Sequence, residues 1–353
     1  MTETLFFDAR YIRVGHHDGI SRFSASLCAA LATKSDVTAI IFDDRQLEKL
    51  PAGIKHVKLN DPTNPLAEVF IGLKLNRLGA KRVFSPMQTM GSWFRKYKLV
   101  LTLHDLIYYA HPTPPPSFSW PIRLGWRLFH LTYIPQRIML NGADSVVTVS
   151  ETTKRLMLRN RLTKRTIDVV YNAGSGDIAV EHGSTNRNLI YMGSFMDYKN
   201  VECLIAAMEH LQDFQLHLLS RISDQRRTEL TQLADKYAER VTFHNGVTDE
   251  QYHALLSSAF ALVSASRDEG FGIPVIEAME RGTPAVISDI EIFREIGGTA
   301  ARYFNADNPA SLVNEVRLLE ADWSAVSKES RLQARKFNWE ASADALLEVM
   351  QRL

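Results

Sequence analysis

The stretch Ser266–Pro284 constrains this chain more than any other. Ahead of it lies an apolar run of strand length, Ala259 to Ser264, and behind it another, Ala285 to Ile287. Between them, Gly270 and Gly272 permit a tight turn and Pro274 stands where a first helical residue is expected. Gly282 is placed to stop a short helix. The order strand, glycine turn, helix, glycine, strand is a parallel α/β unit whose turn lies at the carboxyl end of its strand, where such sheets bind ligands. The helix would aim unpaired N–H groups at the turn, which suits a phosphate.

Two carboxylates flank that turn, Glu269 on the loop and Glu277 in what reads as the first turn of the helix. Taken singly, Glu277 reads as dipole compensation and Glu269 as a solvated loop charge. Taken together with the glycines, they suit a ligand with hydroxyls at both ends and a diphosphate between, the layout of a nucleotide-sugar.

Glu269-Gly-Phe-Gly-Ile-Pro-Val-Ile-Glu277 resembles the signature of the retaining glycosyltransferases of family 4, which have the GT-B fold. The resemblance implies an α/β chain of two facing Rossmann-like domains with parallel sheets and the active site in the cleft between them. It implies a donor site built from Gly270, Phe271, Gly272 and Ile273, with Glu269 holding sugar hydroxyls and Glu277 the ribose.

The bounds agree with such a chain. Its 353 residues suggest two domains, and 45% hydrophobic content is ample for two cores. A net charge of +1 gives no argument for nucleic acid. Cys28 and Cys203 lie far apart in helix-like apolar settings and read as buried thiols. Glu3 and Asp8 sit where a secretory leader would be basic, and no run reaches the roughly eighteen apolar residues of a membrane span. The expectation is a cytoplasmic protein.

The first half alternates short apolar runs with helical spacing. Leu5 to Phe7 reads as the first strand, followed by Asp8-Ala-Arg-Tyr11, a loop holding Gly15, His16, His17, Asp18 and Gly19, and a helix from Ile20 to Ala32. The family opens in a similar way, which puts Gly19 beside the donor diphosphate or the acceptor. Arg22 reads equally as a phosphate or acceptor contact and as a surface arginine. Leu99 to Leu103 is a buried strand running into His104-Asp105, and the resemblance places His104 at the donor sugar. Residues 107–136 mix Tyr108, Tyr109, Phe118, Trp120, Trp126, Phe129 and Tyr133 with prolines and with Arg123 and Arg127. This segment reads either as an irregular, half-buried cover or as an aromatic, basic surface for a lipid-linked acceptor at the inner face of a membrane.

The expected domains are 1–175, a linker over 176–188, 189–336, and a last helix, 337–353, that returns to the first domain. In the second domain, Leu189 to Met192 is a strand, Gly193-Ser194 a turn, and Lys199-Asn200 the opening of a helix to about Leu211. A lysine there opposes the helix dipole, a conflict that an anion would remove. The family uses this lysine for the diphosphate. Many members carry an arginine where this chain has Ser194, so a second cation must come from elsewhere, with Arg221 and Arg267 as candidates. The Gly246-Val247 backbone is placed near the base. No Asp-x-Asp occurs, no metal-ligand spacing is present, and no metal or other cofactor is expected. The implied reaction is hexose transfer, mannose by preference, from a nucleoside-diphosphate sugar to a glycan or lipid-linked acceptor. A same-fold sugar-nucleotide epimerase and a non-catalytic nucleotide-sugar-binding protein remain the alternatives.

Overall fold

A computed structural model describes residues 4–15, 18–114, 118–176 and 186–353. His16, His17, Pro115, Pro116 and most of the expected linker, 177–185, lie outside the described residues. The chain divides into two compact units, 1–172 with 339–353, and 173–338.

In the first unit seven strands form one sheet: β1 (Leu5–Asp8), β2 (Val37–Ile41), β3 (Lys55–Lys58), β4 (Arg82–Ser85), β5 (Lys98–Leu103), β6 (Ser145–Thr148) and β7 (Ile167–Val169). Their order is β3-β2-β1-β4-β5-β6-β7, and every pairing is parallel. A parallel sheet covered on both faces demands continuous apolar strands, and β2 and β6 are buried at every residue. At one edge, β3 reads Lys-His-Val-Lys with three of its four residues exposed, so charge keeps that edge from pairing further. The helix Gly19–Ala32 starts on Asp18, whose carboxylate caps Ser21 N–H, and buries Phe23, Leu27, Cys28 and Leu31. The closing helix Trp339–Gln351 packs on it: Lys34 pairs with Asp344 at 2.6 Å, and the Phe23 and Trp339 rings meet edge-on at 6.0 Å. Each fully buried Phe or Leu here contributes about 1.5–3 kcal/mol.

In the second unit six parallel strands, β8 (Asn188–Tyr191), β9 (Gln215–Leu218), β10 (Val241–Phe243), β11 (Ala261–Ser264), β12 (Ala285–Ser288) and β13 (Arg302–Phe304), run in the order β10-β9-β8-β11-β12-β13. Both sheets reverse strand order once, at β1/β4 and at β8/β11. Crossover helices leave to opposite faces at such a point, opening a crevice at the strands' carboxyl ends.

Two expectations need correction. Residues 107–136 are not irregular: Ile107–Ala110, Trp120–His130 and Ile134–Asn141 are helices, because Pro121 and Pro135 occupy first-turn positions, where no N–H is missed. The Trp120–His130 helix buries none of its residues, and Trp120 is 75% exposed. The helix expected to Leu211 ends at Ala207. The helix Pro309–Ala334 is kinked at Asp322.

Candidate active site

The glycine turn forms as its spacing demands. Gly272 caps the helix Ile273–Glu280 with φ 103°, a conformation that L side chains rarely adopt, and a Cβ there would meet Phe293 at 2.9 Å. Pro274 is the second helical residue rather than the first, with Ile273 ahead of it. Gly282, at φ 72°, ends the helix by donating to the Met279 carbonyl.

Glu277 is therefore not in the first turn but one turn deeper, and it is buried. Dipole compensation does not account for it. Its Oε2 accepts from the Tyr252 hydroxyl at 2.8 Å. Tyr252 is fully buried on the helix Asp249–Ser258, and no local pattern in the sequence marked it. Arg281, also buried, donates to the Glu277 carbonyl and to Ser175 Oγ, each at 3.0 Å.

Lys199 does not open an α-helix either. It ends a 3-10 turn, Asp197–Lys199, and Asn200 follows in the left-handed region with φ 52° before the helix Val201–Ala207. Asn200 tolerates that backbone because its Nδ2 donates to the Ala306 carbonyl at 2.7 Å. The anion that the lysine was expected to need is supplied by the chain itself. Lys199 Nζ lies 2.5 Å from Glu269 Oε1, with both side chains 13% exposed. Ser266 Oγ donates to the same carboxylate oxygen at 2.9 Å. The loops after β8 and β11, at the switch point of this sheet, are thus joined by an ion pair.

The remaining candidates of this unit divide. Gly193 donates its N–H to Ser220 Oγ at 3.1 Å, and a Cβ there would strike the Tyr191 hydroxyl. Gly246 has φ 103° and packs against the Arg221 side chain, so Arg221 covers the Gly246-Val247 loop. Arg267 forms an exposed pair with Asp307 at 2.7 Å, while its backbone N–H donates to the Tyr198 carbonyl. Arg226, which the sequence reading missed, donates to the Phe195 carbonyl beside Ser194 at 3.1 Å, and it also pairs with Glu202 and Glu229. Only its position on a neighbouring helix brings it there.

Glu280 is a strongly perturbed carboxylate. Burial, aided by the charge of Glu277, pushes it up to about 7. It sits under the incoming chain: Gly176 N–H donates to it at 3.3 Å, and its carboxylate fills the space a Cβ on Gly174 would need.

In the first unit, His104 follows β5, which lies between β4 and β6, one strand away from that sheet's switch point at β1/β4. Its Nε2 is 2.7 Å from the Pro86 carbonyl, which makes Nε2 the N–H donor and leaves Nδ1 with the lone pair. The Phe23 ring meets it edge-on at 5.0 Å. Burial holds its pKa down at about 4, so the imidazole is neutral at physiological pH. Gly19 begins the helix that carries Phe23 and Arg22. Below them, Arg10 is locked to Asp8 at 2.7 Å and to Glu68 at 2.5 Å, a buried network that fixes the chain after β1. Among the described residues no group of three or more His, Cys, Asp or Glu is arranged to hold a metal ion. No described helix is long and apolar enough to cross a membrane.

Residues 178–341 match the family model of the glycosyl transferases group 1, and this stretch is a domain of that family. The O-antigen chain mannosyltransferase RfbU of Salmonella typhimurium is 28% identical over 240 residues, 67% of this chain and 64% of that relative, so the match spans just under two thirds of its length. A sucrose-phosphate synthase from Thermosynechococcus elongatus is similar over 99% of this chain and 98% of its own, with TM-score 0.77 and 19% identity. Anabaena HepE, solved in complex with UDP-glucose, is similar over 99% of this chain and 100% of its own, with TM-score 0.74 and 16% identity. At these identities the likeness to the solved structures is one of fold, which is GT-B: α/β with two parallel sheets of seven and six strands.

Proposed function

We propose that this protein is a retaining glycosyltransferase that moves a hexose, mannose by preference, from a nucleoside-diphosphate sugar to a hydroxyl of a glycan or lipid-linked acceptor. The observation that carries the reading is the meeting of Lys199, Glu269 and the Gly270–Gly272 turn at the β8/β11 switch point, with the buried Glu277 one helical turn further on. A diphosphate suits the lysine and the turn, and carboxylates on either side suit the hydroxyls of sugar and ribose. The name of the Salmonella relative supports mannose. In this reading Lys199 takes up leaving-group charge and His104 stabilises the sugar as positive charge develops. Its neutral imidazole, with a free Nδ1 lone pair, is suited to accept from a sugar hydroxyl.

The exposed helix Trp120–His130, carrying Trp120, Ile122 and Leu128 with Arg123 and Arg127 and no acidic residue, supports peripheral contact with an anionic membrane surface where a lipid-linked acceptor would lie.

The test is incubation with a panel of nucleotide-sugars and glycan or polyprenol-linked acceptors, with products resolved by mass and anomeric configuration by NMR. Transfer with retention is expected, GDP-mannose being the best donor. Interconversion of the sugar-nucleotide without transfer would make the protein an epimerase. Binding without turnover across the panel would make it a non-catalytic receptor.

A further inference from the structure

We infer that the Lys199–Glu269 pair makes the site select an intact nucleotide-sugar over the nucleoside diphosphate left after transfer; the inference rests on the glycosyltransferase reading. Lys199 and Glu269 come from different loops, after β8 and after β11, and were expected to hold different parts of the donor. They instead hold each other at 2.5 Å, each 13% exposed, where solvent screens the attraction only partly. A diphosphate that takes Lys199 must draw it off Glu269 and leave a half-buried carboxylate short of one partner. Free nucleoside diphosphate offers nothing in exchange. An intact donor does, because a sugar hydroxyl donates to the carboxylate as the phosphate accepts from the lysine.

Glu269 is held for that exchange. Ser266 Oγ donates to its Oε1 at 2.9 Å and is itself 3.1 Å from Ser264 Oγ. Ser288 Oγ donates to the Ser266 carbonyl, so the loop is tied to β12 as well as to β11. The carboxylate therefore keeps its place when Lys199 moves. Once the sugar has left, Glu269 regains Lys199 and the diphosphate loses its cation. One ion pair thus couples the two ends of the donor and promotes product release.

The experiment is calorimetric titration of the full chain with GDP, UDP and ADP, with the matching monophosphates and with the donor found in the panel. It uses the wild type, Glu269→Gln, Lys199→Met and the double variant. Circular dichroism establishes that each is folded. Glu269→Gln should bind the diphosphate about five- to tenfold more tightly than wild type while losing the preference for the intact donor. In the Lys199→Met background the same change should have no effect on diphosphate affinity. Unchanged or weaker diphosphate binding by Glu269→Gln, with monophosphate affinity intact, overturns the inference and leaves the glycosyltransferase reading standing. If no nucleoside diphosphate binds the wild type, the reading fails and the inference falls with it.

Discussion

Glu277 illustrates how one residue's surroundings change the argument about it. In a first turn it would be a dipole partner; one turn deeper and buried, it needs partners of its own, and Tyr252 supplies one at 2.8 Å. If Glu277 holds the ribose, Glu277→Ala should weaken nucleoside-diphosphate binding by about 1.5–3 kcal/mol. Tyr252→Phe, which frees the carboxylate to turn, should weaken it by a smaller amount of roughly 1 kcal/mol. Calorimetry on folded variants measures both, and unchanged affinity in Glu277→Ala refutes the ribose role. His104 allows a second prediction, in pH. Its folded pKa of about 4 lies below the ordinary value near 6.5. Between those values the unfolded chain binds the proton and the folded chain does not. Stability from this group is therefore full above pH 6.5 and is lost as pH falls toward 4. The kcat profile should accordingly show no ionisation of His104 near pH 6.5, and His104→Ala should lower kcat with little change in donor affinity. A kcat limb near 6.5 that disappears in the variant would be incompatible with a neutral imidazole.

The helix Ile273–Glu280 shows the same at the scale of an element. Its start depends on a backbone at φ 103° that is hemmed in by Phe293 and Ile296. Gly272→Ala should destabilise the protein by roughly 1–3 kcal/mol, read from the urea midpoint. An unchanged midpoint would mean that the turn relaxes freely. Its end carries Glu280, with a pKa raised to about 7 where the unfolded chain has an ordinary carboxylate. Here the folded chain holds the proton, so stability falls as pH rises from about 4.5 to about 7 and is level above. Glu280→Gln keeps an acceptor for Gly176 N–H without the charge. Its midpoint relative to wild type should rise across that window, and a constant difference between pH 5 and pH 8 would argue that Glu280 ionises normally.

At the scale of the whole molecule, a leaving diphosphate needs its charge balanced either by a divalent ion held on carboxylates or by fixed cations and helix N-termini. The adjacent acidic residues Asp43 and Asp44 are committed elsewhere: Asp43 caps and pairs with Arg45, and Asp44 pairs with Lys58. Lys199 and the Gly272 helix start are the fixed charges on the donor side. Initial rates should therefore persist in excess EDTA. Abolition by EDTA with rescue by Mg²⁺ or Mn²⁺ would give Ser194 a meaning, as the place where a metal replaces a cation.

Periodicity and glycine placement were enough to read the parallel α/β class, the strands that open near Leu5, Leu99, Leu189, Ala259 and Ala285, and the turn at Gly270–Gly272, because these depend on local sterics and on which runs are long enough to be buried. Ser150 as the cap of the helix Glu151–Arg159 was equally legible, since a cap is a contact three residues long. Partnership was not legible. That Lys199 is met by Glu269, Glu277 by Tyr252, and Glu280 by the backbone of Gly174 and Gly176 depends on which strands lie side by side. The order β10-β9-β8-β11-β12-β13 sets β8 beside β11, although seventy residues separate Lys199 from Glu269. Nothing local records that adjacency. It is decided by the packing of the whole sheet.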